Sequence, residues 1–127
     1  MTLPHKILIM DDDPAILKMM QQLVVRLGYE VKIASSGQEA VNLYRKNYEE
    51  GCSFELVILD LVINHGINGI ETMKILKEIN PDVRAVLSSG SIYDQAFINY
   101  KKYGFIDVLP KPYGLPDVKR ILGHSEN

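Results

Sequence analysis

Short apolar runs alternate with longer amphipathic stretches along this chain. Five runs are largely apolar, namely residues 6–10, 31–34, 55–59, 83–87 and 105–109. Short runs without a polar face are typical of strands that are buried on both faces of a parallel sheet. The pattern therefore predicts five strands, of which residues 31–34 form the weakest.

The stretches between these runs carry the start and stop signals of helices. Asp13 can cap a first helix that has Pro14 at its first position and is ended by Gly28. Three further pairs have the three-residue spacing of a capping box and open the second, third and fourth helices: Ser36 with Glu39, Asn68 with Glu71, and Ser91 with Asp94. A short fifth helix is expected to begin near Pro116. In the fourth helix Tyr93, Phe97 and Tyr100 recur at helical spacing, which places most of this stripe in the core.

Strand and helix thus alternate five times. Regular alternation in so short a chain predicts an α/β fold with a parallel sheet covered by helices on both faces. We expect one domain over residues 1–127, with its core at about 5–122. In such sheets the ligand site lies beyond the carboxyl ends of the strands, so those ends are where functional residues are sought.

Composition narrows the class of protein further. The 127 residues carry 14 Lys and Arg against 16 Asp and Glu, a formal charge of −2, which argues against a basic nucleic-acid surface. No apolar run is long enough to cross a membrane, and the first residues do not resemble a signal peptide. The single cysteine, Cys52, cannot form an internal disulfide. We expect a cytoplasmic domain.

Polar residues follow four of the five predicted strands. They are Asp11, Asp12 and Asp13 after the first, Asp60 after the third, Ser88 and Ser89 after the fourth, and Lys111 after the fifth. Carboxylates that meet at one edge repel each other unless a cation compensates them. Magnesium prefers such oxygen ligands. A carboxylate such as that of Asp60, beside a metal and a lysine, can also accept a phosphoryl group.

The residues at these strand ends resemble one known family. The segments 7–14 (ILIMDDDP), 56–61 (LVILDL), 87–90 (LSSG) and 111–113 (KPY) are similar to the receiver domain of two-component response regulators over essentially the whole chain. The resemblance implies a flavodoxin-like (βα)5 three-layer sandwich with strand order 2-1-3-4-5. It also implies a phosphorelay role in signal transduction, not that of an enzyme acting on an external substrate.

The resemblance implies a role for each matching residue. Asp60 is then the phosphoacceptor, Lys111 the lysine and Ser89 the hydroxyl that contact the phosphoryl group, although the residues alone leave Ser88 as an alternative to Ser89. Asp11, Asp12, Asp60 and the backbone carbonyl of Val62 would hold Mg²⁺ or Mn²⁺, while Asp13 acts mainly as a helix cap. The expected partner is a sensor histidine kinase or a histidine phosphotransfer protein. A homodimer through the fourth and fifth helices is expected by analogy only, and neither nucleic-acid binding nor membrane insertion is expected.

Two departures from the common receiver pattern stand out. The loop after Asp60, residues 61–69, is one residue longer than in most receivers and has Asn64 where a proline is usual. Together with residues 88–90 (SSG) and the segments 103–105 (YGF) and 110–113 (PKPY), this longer loop resembles receivers attached to hybrid sensor histidine kinases. Val108 lies three residues before Lys111, where many receivers have a Tyr or Phe that moves inward on phosphorylation. An aromatic switch at this position is therefore excluded.

Two other functions compete with this interpretation. A phosphorylation-independent scaffold, or pseudo-receiver, has no need of so repulsive a group of carboxylates. A phosphohydrolase of the haloacid-dehalogenase type would use the Asp11-x-Asp13 pattern. It would leave Asp60 unexplained and would lack the threonine that such enzymes have two residues after the second aspartate.

Overall fold

The computed structural model describes residues 5–126, in which five parallel strands form one sheet. The strands are β1 (Lys6–Met10), β2 (Glu30–Ala34), β3 (Leu56–Asp60), β4 (Ala85–Ser89) and β5 (Asp107–Pro110). The α-helices are α1 (Pro14–Arg26), α2 (Gly37–Glu49), α3 (Gly69–Ile79), α4 (Gln95–Ile98) and α5 (Leu115–Leu122). The expectation about the first residues of the chain rests partly on residues 1–4, which lie outside the described residues.

The strand order is β2-β1-β3-β4-β5, which confirms the predicted fold class and sheet order. The strands β3, β4 and β5 both begin and end one or two residues later than the apolar pattern indicated. Asp60 and Ser89 are therefore the last residues of their strands instead of the residues that follow them. The register pairs Asp60 with Ser88, and Ser89 with Pro110. The polar ends of three neighbouring strands are thereby brought together at one edge.

Each face of the sheet packs against its own group of helices. One face, with Leu8, Val57 and Leu87, packs against α2, α3 and α4, while the other, with Ile9, Ile58 and Val86, packs against α1 and α5. Every residue of β3 and of β4 is buried. This explains why these two central strands have no alternating polar face.

The predicted caps of the first three helices are present, with one difference. The Asp13 carboxylate accepts a hydrogen bond from the Ala15 N–H at 2.9 Å, and Asn68 and Glu71 form a complete capping box on α3. In α2 the Ser36 hydroxyl accepts from the Glu39 N–H, but the Glu39 carboxylate accepts from Ser35 and not from Ser36. Only half of that predicted box therefore forms.

The prediction for the fourth helix was wrong in its start and its length. Ser91 does not cap a helix, because the first helical residue is Gln95, and the Ser91 N–H donates to the Ser89 hydroxyl at 3.1 Å. Asp94 takes the cap position instead, with its carboxylate 2.9 Å from the Ala96 N–H. The helix is only four residues long, and a 3₁₀ turn over Tyr100–Tyr103 follows it. Tyr93 consequently precedes the helix and is 83% exposed, not part of the core.

None of the helices among residues 5–126 combines the length and the apolar character that a membrane span requires.

Candidate phosphoryl-acceptor site

The three aspartates that follow β1 differ in burial and in hydrogen bonding. Asp11 is buried, with only 2% of its surface exposed, and its carboxylate accepts the Asp13 N–H at 2.9 Å. Asp12 is half-buried, and Asp13 is exposed and occupied as the cap of α1. Of these three side chains, those of Asp11 and Asp12 are therefore the ones that remain as candidates for the site.

Asp60 ends β3 and is 4% exposed. Its position depends on a close approach of helix α3, whose first residue is Gly69. A Cβ atom on Gly69 would lie 2.4 Å from the Asp60 carbonyl oxygen, a separation that non-bonded atoms cannot tolerate. The absence of a side chain at residue 69 thus lets α3 begin directly against the backbone of Asp60.

One carboxylate oxygen from each of Asp11, Asp12 and Asp60 can be chosen so that the three lie within 4.8 Å of one another. Three negative charges at this spacing are unfavourable without a compensating cation. An all-oxygen donor set of this kind suits a hard divalent cation such as Mg²⁺. The residues present therefore fit a magnesium site.

The ammonium group of Lys111 compensates part of the negative charge of these carboxylates. Its ammonium nitrogen lies 2.7 Å from an Asp11 carboxylate oxygen and 3.4 Å from an Asp60 carboxylate oxygen. Its backbone N–H donates to the Ser89 carbonyl at 2.8 Å, which ties the residue to the end of β4. Burial opposes the charge on the ammonium, but the bond to Asp11 and the charge of Asp60 outweigh it and raise the Lys111 pKa. The lysine therefore stays charged at neutral pH.

Asp60 differs from an ordinary surface carboxylate in its pKa. Burial, followed by the nearby charge of Asp11, raises the pKa of Asp60 to about 6, while Lys111 acts in the opposite direction. At neutral pH most molecules still carry the ionised form, which is the nucleophilic one. The Asp60 carboxylate is therefore both poorly solvated and ionised, and this combination favours its attack on an electrophile.

The two candidate hydroxyl groups at the end of β4 have different surroundings. The Ser89 hydroxyl, at the last residue of β4, accepts the Ser91 N–H at 3.1 Å and so contacts the loop that follows the strand. The Ser88 side chain is buried, and its hydroxyl has no hydrogen bond of ordinary length among residues 5–126. Both lie beside the strand ends that carry Asp60 and Lys111.

The longer loop after Asp60 turns back toward the acidic group. The Asn64 N–H donates to an Asp12 carboxylate oxygen at 3.0 Å. Val62 is 61% exposed, and the ligand expected from it is a backbone carbonyl, which any residue type can supply. His65 in this loop is exposed.

Val108 lies in β5, opposite Leu87, so the position that is aromatic in many receivers is aliphatic here. A different aromatic residue, Tyr113, lies near the acidic group and follows the cis peptide bond between Lys111 and Pro112. Burial raises the pKa of the Tyr113 phenol, the charges of Asp11 and Asp60 raise it further, and the Ser88 hydroxyl lowers it. The phenol is therefore protonated near the carboxylates at neutral pH.

Sequence reasoning did not identify two of these features, the Asn64–Asp12 bond and the position of the Tyr113 phenol. The Asn64 N–H is a backbone group with no sequence signature, and only the unusual residue type at position 64 marked the loop. Tyr113 was visible in the sequence beside Lys111, but its neighbours Ser88 and Asp11 come from other strands. No spacing rule connects them.

Residues 7–122 match the sequence model of the response regulator receiver domain. The DNA-binding transcriptional regulator NtrC of Rhizobium meliloti is 30% identical over 94% of this chain, which corresponds to 23% of that protein. The chain thus spans about a quarter of the length of this relative. A CheY-like receiver domain protein from Methanospirillum hungatei has a TM-score of 0.82 at 25% identity, with 98% of each chain covered. CheY in a CheX–CheY–BeF3–Mg complex from Borrelia burgdorferi has a TM-score of 0.82 at 23% identity, covering 96% of this chain and 87% of that one.

Proposed function

Because the chain belongs to the response regulator receiver domain family, we propose that Asp60 accepts a phosphoryl group in two-component signal transduction. The observation that carries the proposal is the pairing of Asp60 with Lys111 at the edge where Asp11 and Asp12 also lie. Receiver domains are signalling modules and generally not enzymes. The reactions proposed for this chain are uptake of the phosphoryl group and its later hydrolysis or onward transfer.

In the proposed step an Asp60 carboxylate oxygen attacks the phosphorus of a phosphohistidine. The new O–P bond forms as the P–N bond breaks, and the histidine imidazole leaves with the electron pair and takes up a proton. Phosphoryl transfer depends chiefly on positioning and on charge stabilisation. The Lys111 ammonium, which already contacts Asp60, would stabilise one phosphoryl oxygen, and the Ser89 hydroxyl would donate to another.

Receiver domains generally bind Mg²⁺ at an acidic pocket, and the oxygen donor set here fits that ion. The residues that would hold it, or Mn²⁺ in its place, are Asp11, Asp12, Asp60 and the backbone carbonyl of Val62. When bound, the cation supplies positive charge against the acidic group and against the incoming phosphoryl oxygens.

The donor in this proposal is a sensor histidine kinase or a histidine phosphotransfer protein, since receiver domains interact with such proteins. The transfer is placed in the cytoplasm, where receiver domains generally work. A change of charge and hydrogen bonding at Asp60 would then alter the affinity for a partner, or the phosphoryl group would be passed on. Dimerisation through α4 and α5 is part of the proposal by analogy with the family only.

The test is intact-mass spectrometry after incubation with acetyl phosphate, with and without magnesium. We expect the wild-type protein to gain one phosphoryl group in a magnesium-dependent reaction and the Asp60→Asn variant to gain none. Asp13→Asn is the matched control, because Asp13 is another aspartate at the same edge but is occupied as a helix cap. No gain under any condition would favour the pseudo-receiver, and a gain in Asp60→Asn would identify a different nucleophile.

A further inference from the structure

The bond between the Asn64 N–H and the Asp12 carboxylate connects residues that are 52 positions apart in the chain. The donor is a backbone amide at 3.0 Å, and the acceptor is an ionised side chain, which makes this a charge-assisted hydrogen bond. Such a bond restricts the rotation of the carboxylate. The bond occupies only one of the two carboxylate oxygens of Asp12, so the other oxygen can bind a cation.

The residue type at position 64 decides whether this bond can exist. A proline, which is usual here in receivers, has no N–H and could not donate to Asp12. Any other residue type, asparagine included, has the backbone N–H that donates to Asp12. The unusual residue type at position 64, evident in the sequence, therefore permits this contact.

The loop that carries Asn64 is anchored on both sides. Before it, the Leu61 N–H donates to the Ser88 carbonyl at 2.8 Å. After it, Ile67 packs so closely against α2 that a Cβ atom on Gly37 would lie 2.4 Å from the Ile67 side chain. Ile63 and Ile67 also pack against the hydrophobic core. The loop is thus held in place by contacts independent of Asp12, and its amide meets the carboxylate at a defined position.

We propose that Asn64 is a positioning residue whose backbone amide orients the Asp12 carboxylate and thereby strengthens binding of a divalent cation by Asp11, Asp12 and Asp60. The inference rests on the proposed function, because it takes these three carboxylates as the metal ligands. Hydrogen-bonded partners of metal-ligating carboxylates commonly contribute about tenfold or more to metal affinity. By linkage, the bound cation must strengthen the Asn64–Asp12 bond by the same factor.

The experiment measures magnesium affinity of the unphosphorylated protein by titration of backbone amide resonances in NMR spectra. We expect Asn64→Pro to bind magnesium about tenfold more weakly than the wild-type protein. Asn64→Ala keeps the N–H and removes only the exposed side chain, so its affinity should stay within about twofold of wild type. Equal affinities of Asn64→Pro and Asn64→Ala, or tighter binding by Asn64→Pro, would overturn the proposal.

A second measurement covers the case in which Asn64→Pro does not fold. In the wild-type protein, saturating magnesium should slow hydrogen exchange of the Asn64 amide by about tenfold, as reciprocity requires. Unchanged or faster exchange would overturn the inference. Failure of the metal site itself gives a different result, because the wild-type protein would then bind no magnesium. That result would contradict both the site and the inference that rests on it.

Discussion

The Lys111 ammonium lies closer to Asp11 than to Asp60, at 2.7 Å against 3.4 Å. Before any phosphoryl group arrives, the lysine thus neutralises the more buried carboxylate and only assists the proposed nucleophile. On phosphorylation a stronger anion would form on the Asp60 side. The lysine is positioned to respond to that change with a short movement.

Replacement of Lys111 by methionine should lower the rate of phosphoryl uptake by about 100-fold, because one preorganised positive charge is lost. The rate is measured by intact-mass time courses with acetyl phosphate and magnesium. Lys101→Met is the matched control, since Lys101 is exposed on the 3₁₀ turn after α4, and its rate should equal that of the wild type. A wild-type rate in Lys111→Met would contradict the role assigned to the ammonium.

Replacement of Asp60 by asparagine should raise the free energy of unfolding at pH 7. The folded state raises the Asp60 pKa to about 6, above its value in the unfolded chain, so ionisation at neutral pH costs stability. We expect a gain of about 1 kcal/mol after solvent screening at the open sheet edge is allowed for.

That gain should shrink as the pH falls through 6 toward 4, because protonation then removes the charge from the wild-type side chain as well. Urea unfolding of both proteins across this range measures the difference. A difference that is constant with pH would show that the effect comes from packing and not from the charge of Asp60.

Replacement of Gly69 by alanine should destabilise the protein by about 1–3 kcal/mol, because the added methyl group would push against the Asp60 carbonyl. It should also slow phosphoryl uptake, since the backbone of the acceptor has to move. Gly123→Ala is a suitable control. A Cβ atom there meets nothing within 4 Å, and we expect no loss of stability. Equal stability of the two variants in urea would argue against the close approach.

Replacement of Ser89 by alanine should slow phosphoryl uptake by about tenfold, the effect of one hydrogen bond to a charged oxygen. Ser88→Ala should leave the rate within about twofold of wild type, because the proposal assigns no phosphoryl contact to that hydroxyl. The same mass-spectrometric assay compares the two variants. The opposite result would transfer the role to Ser88, which the sequence left as the alternative.

The positions of Asp11, Asp60 and Lys111 could be predicted because parallel strands place their carboxyl ends at one edge. Runs of apolar residues define such strands even when their bounds are uncertain by a residue or two. The start of α4 could not be predicted in the same way. Both Ser91 and Asp94 have side chains that suit a helix cap, and the pattern does not show that Asp94 makes the capping bond while the Ser91 N–H donates to Ser89.

The contact between Asn64 and Asp12 was beyond sequence reasoning for another reason. Its donor belongs to the backbone, and its geometry depends on how Ile67 packs against α2. Hydrophobic periodicity says nothing about the path of an irregular loop. The unusual length and residue type of the loop indicated where to look, but not what would be found.

Helix α4 has only four residues, of which Ala96 and Phe97 are buried. The neighbouring helices α2 and α3 have 13 and 11 residues and correspondingly longer buried stripes. A segment held by so few apolar contacts unfolds locally at a lower free-energy cost than the rest of a domain. The stretch from Ser91 to Gly104 is therefore the part of this sheet edge that we expect to open at the lowest free-energy cost while the remainder of the molecule keeps its shape.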